Sequence, residues 1–403
     1  MESQDISGLD TINVGIVGHI DHGKTTLLYK LSGQWADTHS EELKRGITIK
    51  LGYSDALVKK KDGKYIVDKK SKEKPLRYIT FVDAPGHEML MATMLSGSAI
   101  MDAAVLVVAA NEGIKPQTAE HLVALKAKGI KKIIIVQNKI DLVSKEQAIR
   151  SYEDIKKFIE GTIAEGAPII PISAQQGINI SYVLEELMVL KVEQETKEKD
   201  PVFFIARSFD INKPGTEIKN LHGVVLGGAL KWGTLNVGDE IEIKPGFSYK
   251  KQNVTHYKTL KTKIISMQKG PYNVKKAIAG GSLAIETELD PSLGKSDLLS
   301  GGIAGIKDSL PELTEKIKIK YKLFETVLGL NTGKEEKVGK MINGELLMLS
   351  INTSTTVGPV RKVDGESIEV ELKIPVVPIE GESLGIARNF NGHWRLIGIG
   401  EIV

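Results

Sequence analysis

Gly18, Gly23, Lys24 and Thr25 keep the spacing G-x-x-x-x-G-K-[ST] within the string GHIDHGKTT, after the apolar run INVGIV and before the helical pattern TTLLYKL. Glycines let such a loop curl until backbone N–H groups face an anion at the positive end of a helix, which is how a phosphate loop works. The expected phosphate contacts are Asp21, His22, Gly23, Lys24, Thr25 and Thr26. Lys24 neutralises the β and γ phosphates, the Thr25 hydroxyl ligates Mg²⁺, and Thr26 bonds the α phosphate. Asp83, Gly86 and His87 follow in DAPGH, after the apolar run YITFV. A carboxylate at that strand end holds magnesium through water, and Gly86 offers its backbone N–H to the γ phosphate. D-x-x-G is a weak signal alone, since a turn with a capping aspartate has the same letters. Downstream of a phosphate loop it carries weight.

Base choice is written in Asn138, Lys139 and Asp141 of NKID, directly after KKIIIVQ. A carboxylate at Asp141 accepts from both the ring N–H and the exocyclic amine of guanine, a donor pair that adenine lacks. Lys139 would lie along the base and Asn138 would tie its loop to the phosphate loop. Ser173 and Ala174, with Gln175 beside them, follow the run PIIPI and offer a backbone N–H to guanine O6. Rejecting a base that lacks a needed donor is worth orders of magnitude, because a buried acceptor would go unpaired. Arg45-Gly46-Ile47-Thr48-Ile49 lies between the phosphate loop and Asp83, where a mobile segment can carry the Thr48 hydroxyl to the magnesium. Alone, RGITI reads equally well as the start of a strand. Together these segments predict a site for GTP, GDP and Mg²⁺.

The elements that must hold these residues alternate from Thr11 to about Leu190: apolar strand-like runs, each followed by a helical pattern such as QTAEHLVALKAKG or KEQAIRSYEDIKKFIEG. Near-continuous apolar strands with helical crossovers predict an α/β unit with a mainly parallel sheet. Residues 58–77 interrupt the pattern with eight lysines, as a loop or exposed hairpin that is either a solvated insertion or a contact for RNA or a protein. A polar stretch, KVEQETKEKDP, reads as a linker. Beyond it, short alternating segments punctuated by Gly and Pro (DEIEIKP, TKIISMQ, then KIKIKYKLFE, ELLMLSINTS, ESIEVELKIP, HWRLIGIGEI) predict antiparallel barrels or sandwiches. The expected domains are 1–200, 201–312 and 313–403, the last boundary resting only on DSLPEL.

Bulk properties exclude several classes. A chain of 403 residues exceeds what one core usually supports. It is 41% hydrophobic and 26% charged, and no apolar run approaches the roughly 20 residues of a membrane helix. Its start, MESQDISGLD, lacks the basic and apolar regions of a secretory signal, so a cytoplasmic protein without membrane partners is expected. Zero cysteines exclude disulfides and thiolate-held zinc. A net charge of +3 does not by itself argue for nucleic acid. The run of Lys250, Lys251, Lys258, Lys261 and Lys263 either contacts phosphates or keeps a loop soluble.

GHIDHGKTT, RGIT, DAPGHE and NKID, in this order and before two β-rich regions, resemble the translational GTPases typified by the elongation factor that delivers aminoacyl-tRNA. Longer strings are more similar to the gamma subunits of archaeal and eukaryotic translation initiation factor two: EELKRGITIKLGY, FVDAPGHEMLMATMLSG, RSFDINKPGT, GDEIEIKPG and WRLIGIGEI. The resemblance runs from Asn13 to the C-terminus. It implies a phosphate-loop GTPase domain followed by two antiparallel β-barrel domains, and a GTPase that carries methionyl initiator tRNA to the small ribosomal subunit. It also implies alpha and beta subunits, a GTPase-stimulating factor, Thr25 and Thr48 as magnesium ligands with Asp21 and the Gly46 backbone as further ones, and His87 orienting the attacking water. Many members of that family carry a Cys₄ zinc knuckle where this chain has residues 58–77, so no zinc is expected here. Two other outputs use the same nucleotide machinery: an elongation or selenocysteine-type tRNA carrier, and the GTPase subunit of a sulfate-activating enzyme.

Overall fold

The computed structural model describes residues 9–34, 52–68, 70–84, 91–191, 199–252, 254–327 and 336–403. Gly46, Thr48, Gly86 and His87 lie outside the described residues.

Seven strands form the first sheet: β1 (Asp10–Gly18), β2 (Gly52–Lys61), β3 (Lys64–Ile66), β4 (Pro75–Asp83), β5 (Ala103–Ala109), β6 (Ile133–Asn138) and β7 (Ile169–Pro171), in the order β3-β2-β4-β1-β5-β6-β7. The five strands from β4 to β7 run parallel. Their letters explain it: AAVLVVA of β5 and IIIVQN of β6 are buried at every position, as a strand covered on both faces must be. The lysine-rich insertion is an antiparallel hairpin of β2 and β3 on the sheet's edge, so the sheet is mixed.

Helices α1 (Lys24–Ser32), α2 (Met91–Ser98), α3 (Pro116–Ala127), α4 (Lys145–Ile159) and α5 (Ile180–Val189) cover the sheet. Four of these follow the helical patterns of the sequence; α2 has no such pattern. Ser144 begins α4 with a capping box closed by Gln147, and α1 ends on Gly33 in the left-handed region. No described helix is long and apolar enough to cross a membrane.

Two closed antiparallel barrels follow. The first takes β8 (Val202–Phe209), β9 (Val225–Trp232), β11 (Glu240–Lys251), β12 (Val254–Lys269), β15 (Ser282–Thr287) and β16 (Ile303–Ile306), closing through β11 and β12. Short strands β10 (Thr234–Asn236), β13 (Tyr272–Asn273) and β14 (Lys276–Ile278) decorate it. DEIEIKP and TKIISMQ are parts of longer strands than the sequence suggested, because β11 and β12 extend together as one ribbon. The second barrel closes in the order β17-β20-β19-β18-β21-β22, from β17 (Thr314–Leu323), β18 (Leu346–Ile351), β19 (Ser354–Asp364), β20 (Ser367–Val376), β21 (Ser383–Phe390) and β22 (His393–Ile402). Alternating burial such as that of SLAIET in β15 fills each interior from one side of every strand.

Both barrels pack on the α/β unit. One apolar cluster joins Leu95, Leu122 and Leu125 of the helices to Phe204 and Ile303 of the first barrel and to Val377 and Leu396 of the second. Polar contacts cross the same boundaries: Ser282 N–H donates to Thr80 Oγ1 at 3.1 Å, and Thr353 Oγ1 to Ile205 O at 3.1 Å. The Lys128 ammonium, just beyond α3, donates to Ser350 O at 2.9 Å and Asn352 O at 3.2 Å.

Candidate nucleotide site

Those predicted residues that are described converge at the C-terminal ends of β1, β4, β6 and β7, where parallel α/β sheets place their ligands. Gly18 leaves β1 with φ +137, and a Cβ there would stand 2.4 Å from Val107 O. Gly23 has φ +88, and its missing side chain leaves room for the Asn138 amide, which would lie 2.3 Å from a Cβ. Gly23 also begins α1 with no side-chain cap, so no side chain competes for the helix's first N–H groups. Asp21 is exposed in the left-handed region at φ 61. Thr26 is half-buried on the first turn of α1.

Lys24 is buried and donates through Nζ to His19 O at 2.8 Å, spanning the loop from within. Thr25 Oγ1 donates to Asp83 Oδ2 at 3.1 Å. The two residues stand 58 positions apart, and β1 pairing with β4 brings them together, Ile16 lying opposite Asp83. A hydroxyl and a fully buried carboxylate side by side form a hard oxygen pair, the donor chemistry that suits magnesium.

Asn138 joins three segments. Its Nδ2 donates to His22 O at 2.8 Å and its Oδ1 accepts from Ala174 N–H at 2.9 Å, so one buried side chain fastens the NKID loop to the phosphate loop and to the loop after β7. Lys139, at φ 62, donates to Glu112 Oε1 at 3.0 Å. Asp141 is exposed in a short 3-10 turn, Ile140–Leu142, with its carboxylate open to a ligand. Ser173 is fully buried and bridges to Ile178, its Oγ accepting from Gln176 N–H at 3.2 Å; Gln175 is exposed on that turn.

Sequence reading missed two supports. His121, on α3, is buried and accepts the Gly18 N–H at Nδ1, 2.8 Å away. Burial pushes its imidazole down to about 3, so it is neutral, with its proton on Nε2. His22 is held likewise by burial at about 4, and its Nδ1–H donates to Val107 O at 3.2 Å. Glu112 is the second support, gripping Lys139. KPQTAEH contains His121, but an isolated histidine in a helical pattern gives no sign of a partner 103 positions away.

Residues 9–193 match the elongation factor Tu GTP binding domain family, and residues 315–402 match the family described as initiation factor eIF2 gamma, C terminal. The chain is 50% identical to translation initiation factor 2 subunit gamma of Methanococcus vannielii, over 98% of this chain and 99% of that protein. It is 48% identical to the protein of the same name from Methanocaldococcus jannaschii, over 97% of each. Among solved structures it is similar to a bacterial selenocysteine-specific elongation factor, with a TM-score of 0.76 and 26% identity, over 98% of this chain and 58% of that one. The elongation factor SelB of Methanococcus maripaludis, bound to the GTP analogue GppNHp, gives a TM-score of 0.72 at 25% identity, over 98% of this chain and 79% of that one. Selenocysteine-type carriers thus share the three-part fold, while the sequence agrees about twice as well with the initiation subunits, and the chain belongs to the translation initiation factor 2 gamma-subunit family of translational GTPases.

Proposed function

We propose that this chain binds GTP with Mg²⁺ and, in that state, carries methionyl initiator tRNA to the small ribosomal subunit, as the gamma subunit of a heterotrimer with alpha and beta partners. It works in the cytoplasm and meets a GTPase-stimulating factor there. The observation that best supports the nucleotide reading is Asn138, which locks the phosphate loop to both segments assigned to the base. We divide the chain as 1–200 for the nucleotide and 201–312 and 313–403 for the two barrels.

Phosphoryl transfer asks little covalent work of a protein, so the residues act by position and charge. Lys24, fixed against the loop backbone, balances phosphate charge. The N–H groups of Asp21 to Thr26 cradle the phosphates. Thr25, with Asp83 beyond it, would hold magnesium, which when bound neutralises charge on the β and γ phosphates. Asp21, the Gly46 backbone and Thr48 complete the proposed ligand set. Asp141 reads guanine, Lys139 flanks the ring, and the turn from Ser173 to Gln175 meets O6. Gly86 would sense the γ phosphate and His87 would orient water. Loss of that phosphate releases the segments Arg45 to Ile49 and Asp83 to Glu88 and, through them, the tRNA.

The test is protection of the methionyl ester from spontaneous hydrolysis, with this chain and its alpha partner in GTP. Initiator methionyl-tRNA should be protected at lower protein concentration than elongator methionyl-tRNA. Equal protection of both would reject the initiator assignment.

A further inference from the structure

Residues 58–76 contain eight lysines and three carboxylates, a net charge of +5 in a chain whose total is +3. The rest of the chain is therefore slightly acidic, at −2. Seven of the eight lie among the described residues. β2 turns back through Asp62 at φ 49 and Gly63 at φ 81 into β3, setting Lys61 opposite Lys64. Like charges directly opposite on a ribbon cost stability. Nothing among the described residues relieves that cost: Lys60, Lys61, Lys64, Lys70, Lys72 and Lys74 are exposed and form no ion pair. Lys261 of β12, by contrast, finds Asp308 at 2.7 Å, and Lys307, just beyond β16, finds Glu240 at 2.9 Å.

Lys59 braces the frame. It is 3% exposed and donates through Nζ to Asp68 O at 3.3 Å and Ser71 O at 2.5 Å, tying the return segment to the ribbon with an ammonium. Guarding a sheet edge with charge would explain Lys64 on the outermost strand β3. It does not explain Lys70, Lys72 and Lys74, which lie outside any strand. The position is also remote from the nucleotide. Gly52 pairs with Asp83 at the site, and β2 then runs away from it for nine residues, or about 30 Å at 3.3 Å each.

We infer that this hairpin and its return segment are a docking surface for the sugar–phosphate backbone of a base-paired RNA. RNA is the abundant polyanion of the process in which this family acts. The chemistry favours a duplex over a single strand. Single strands are held by exposed aromatic rings on which bases stack. The one ring here, Tyr65, is half-buried, with Lys60 Nζ 5.4 Å from its centroid. The arginine that follows this region, Arg77, is buried and spent on Asp10 and the carbonyls of Leu187 and Leu190. What remains is an array of point charges without base-reading groups, suited to the shape and phosphates of an A-form helix. The surface does not depend on which aminoacyl-tRNA the chain carries.

The probe is a labelled RNA duplex of arbitrary sequence, long enough for about 16 base pairs of contact, titrated with the full chain at rising salt. Replacing Lys61, Lys64, Lys70, Lys72 and Lys74 together by Gln should weaken binding at least tenfold at low salt. The slope of log affinity against log salt should fall by about one for each phosphate contact removed, so by about three to five in all. GTP affinity should stay as in the wild type, and the thermal midpoint should not fall, since the change also removes the repulsion between Lys61 and Lys64. Wild-type affinity and slope in the five-fold variant would overturn the inference, as would loss of binding to polyglutamate alone, which would mark an acidic protein as the occupant. If the five-fold variant loses stability, the single Lys72→Gln change decides: a slope reduced by about one supports the surface, and an unchanged slope overturns it.

Discussion

Gly18 and His121 show how a single residue type can decide whether a loop holds its shape. The Gly18 N–H is buried and its acceptor is one neutral imidazole nitrogen. Replacing His121 by Phe keeps a ring but removes the acceptor, so unfolding stability at neutral pH should drop by about 1–3 kcal/mol. The pH dependence has a definite sign. His121 is held near 3 in the folded chain and returns to about 6.5 when unfolded, so the unfolded state binds more protons between those values. Its stabilising share is complete above about 6.5 and is lost as pH falls toward 3. Denaturant titrations should show His121→Phe with a shallower acid loss than the wild type, and parallel curves would remove this role. Residues named by a motif were legible at this scale because loop chemistry constrains neighbours in sequence. His121 and Glu112 were not, because they act on the loop from other elements.

At the scale of elements, α3 is the piece that faces two ways. His121 reaches the phosphate loop, while Glu120, one residue earlier, meets Arg395 of β22 at 2.8 Å, both side chains buried. Removing one member of a buried ion pair costs about 3–5 kcal/mol, most of it the burden of a charge left without its cation. Arg395→Met should therefore lower stability by about that amount, and adding Glu120→Leu should restore much of it. If the double variant is no more stable than the single one, the ion pair is not the reason for the loss. The alternation of apolar runs and helical patterns made the parallel sheet legible, and α4 was legible in KEQAIRSYEDIKKFIEG. Helix α2 escaped because MATMLSGSAI contains glycine and small residues, so local propensity gives little signal. Barrel closure was legible only as strand texture: nothing in DEIEIKP or TKIISMQ says that these segments pair with each other.

Across the whole molecule, the apolar cluster that runs from Leu95 and Leu122 into Phe204 and Leu396 makes the barrels part of one packed body with the nucleotide unit. That packing gives the proposed nucleotide-gated carrier a contiguous path from the guanine site to surfaces made by the barrels. The sequence could suggest that coupling only through family likeness, because the contacts join residues hundreds of positions apart, such as Glu120 and Arg395. The central claim is that occupancy of the guanine site governs the hold on initiator tRNA, and Asp141→Asn gives the most direct test. Asparagine can donate to the oxygen that xanthine carries where guanine has its amine. The decisive measurement is protection of methionyl initiator tRNA by this variant in xanthosine triphosphate and in GTP, each at a concentration that saturates the wild type with GTP. Protection in xanthosine triphosphate and its loss in GTP is the predicted result; protection in GTP unchanged from the wild type, or equal protection without any nucleotide, would contradict the account.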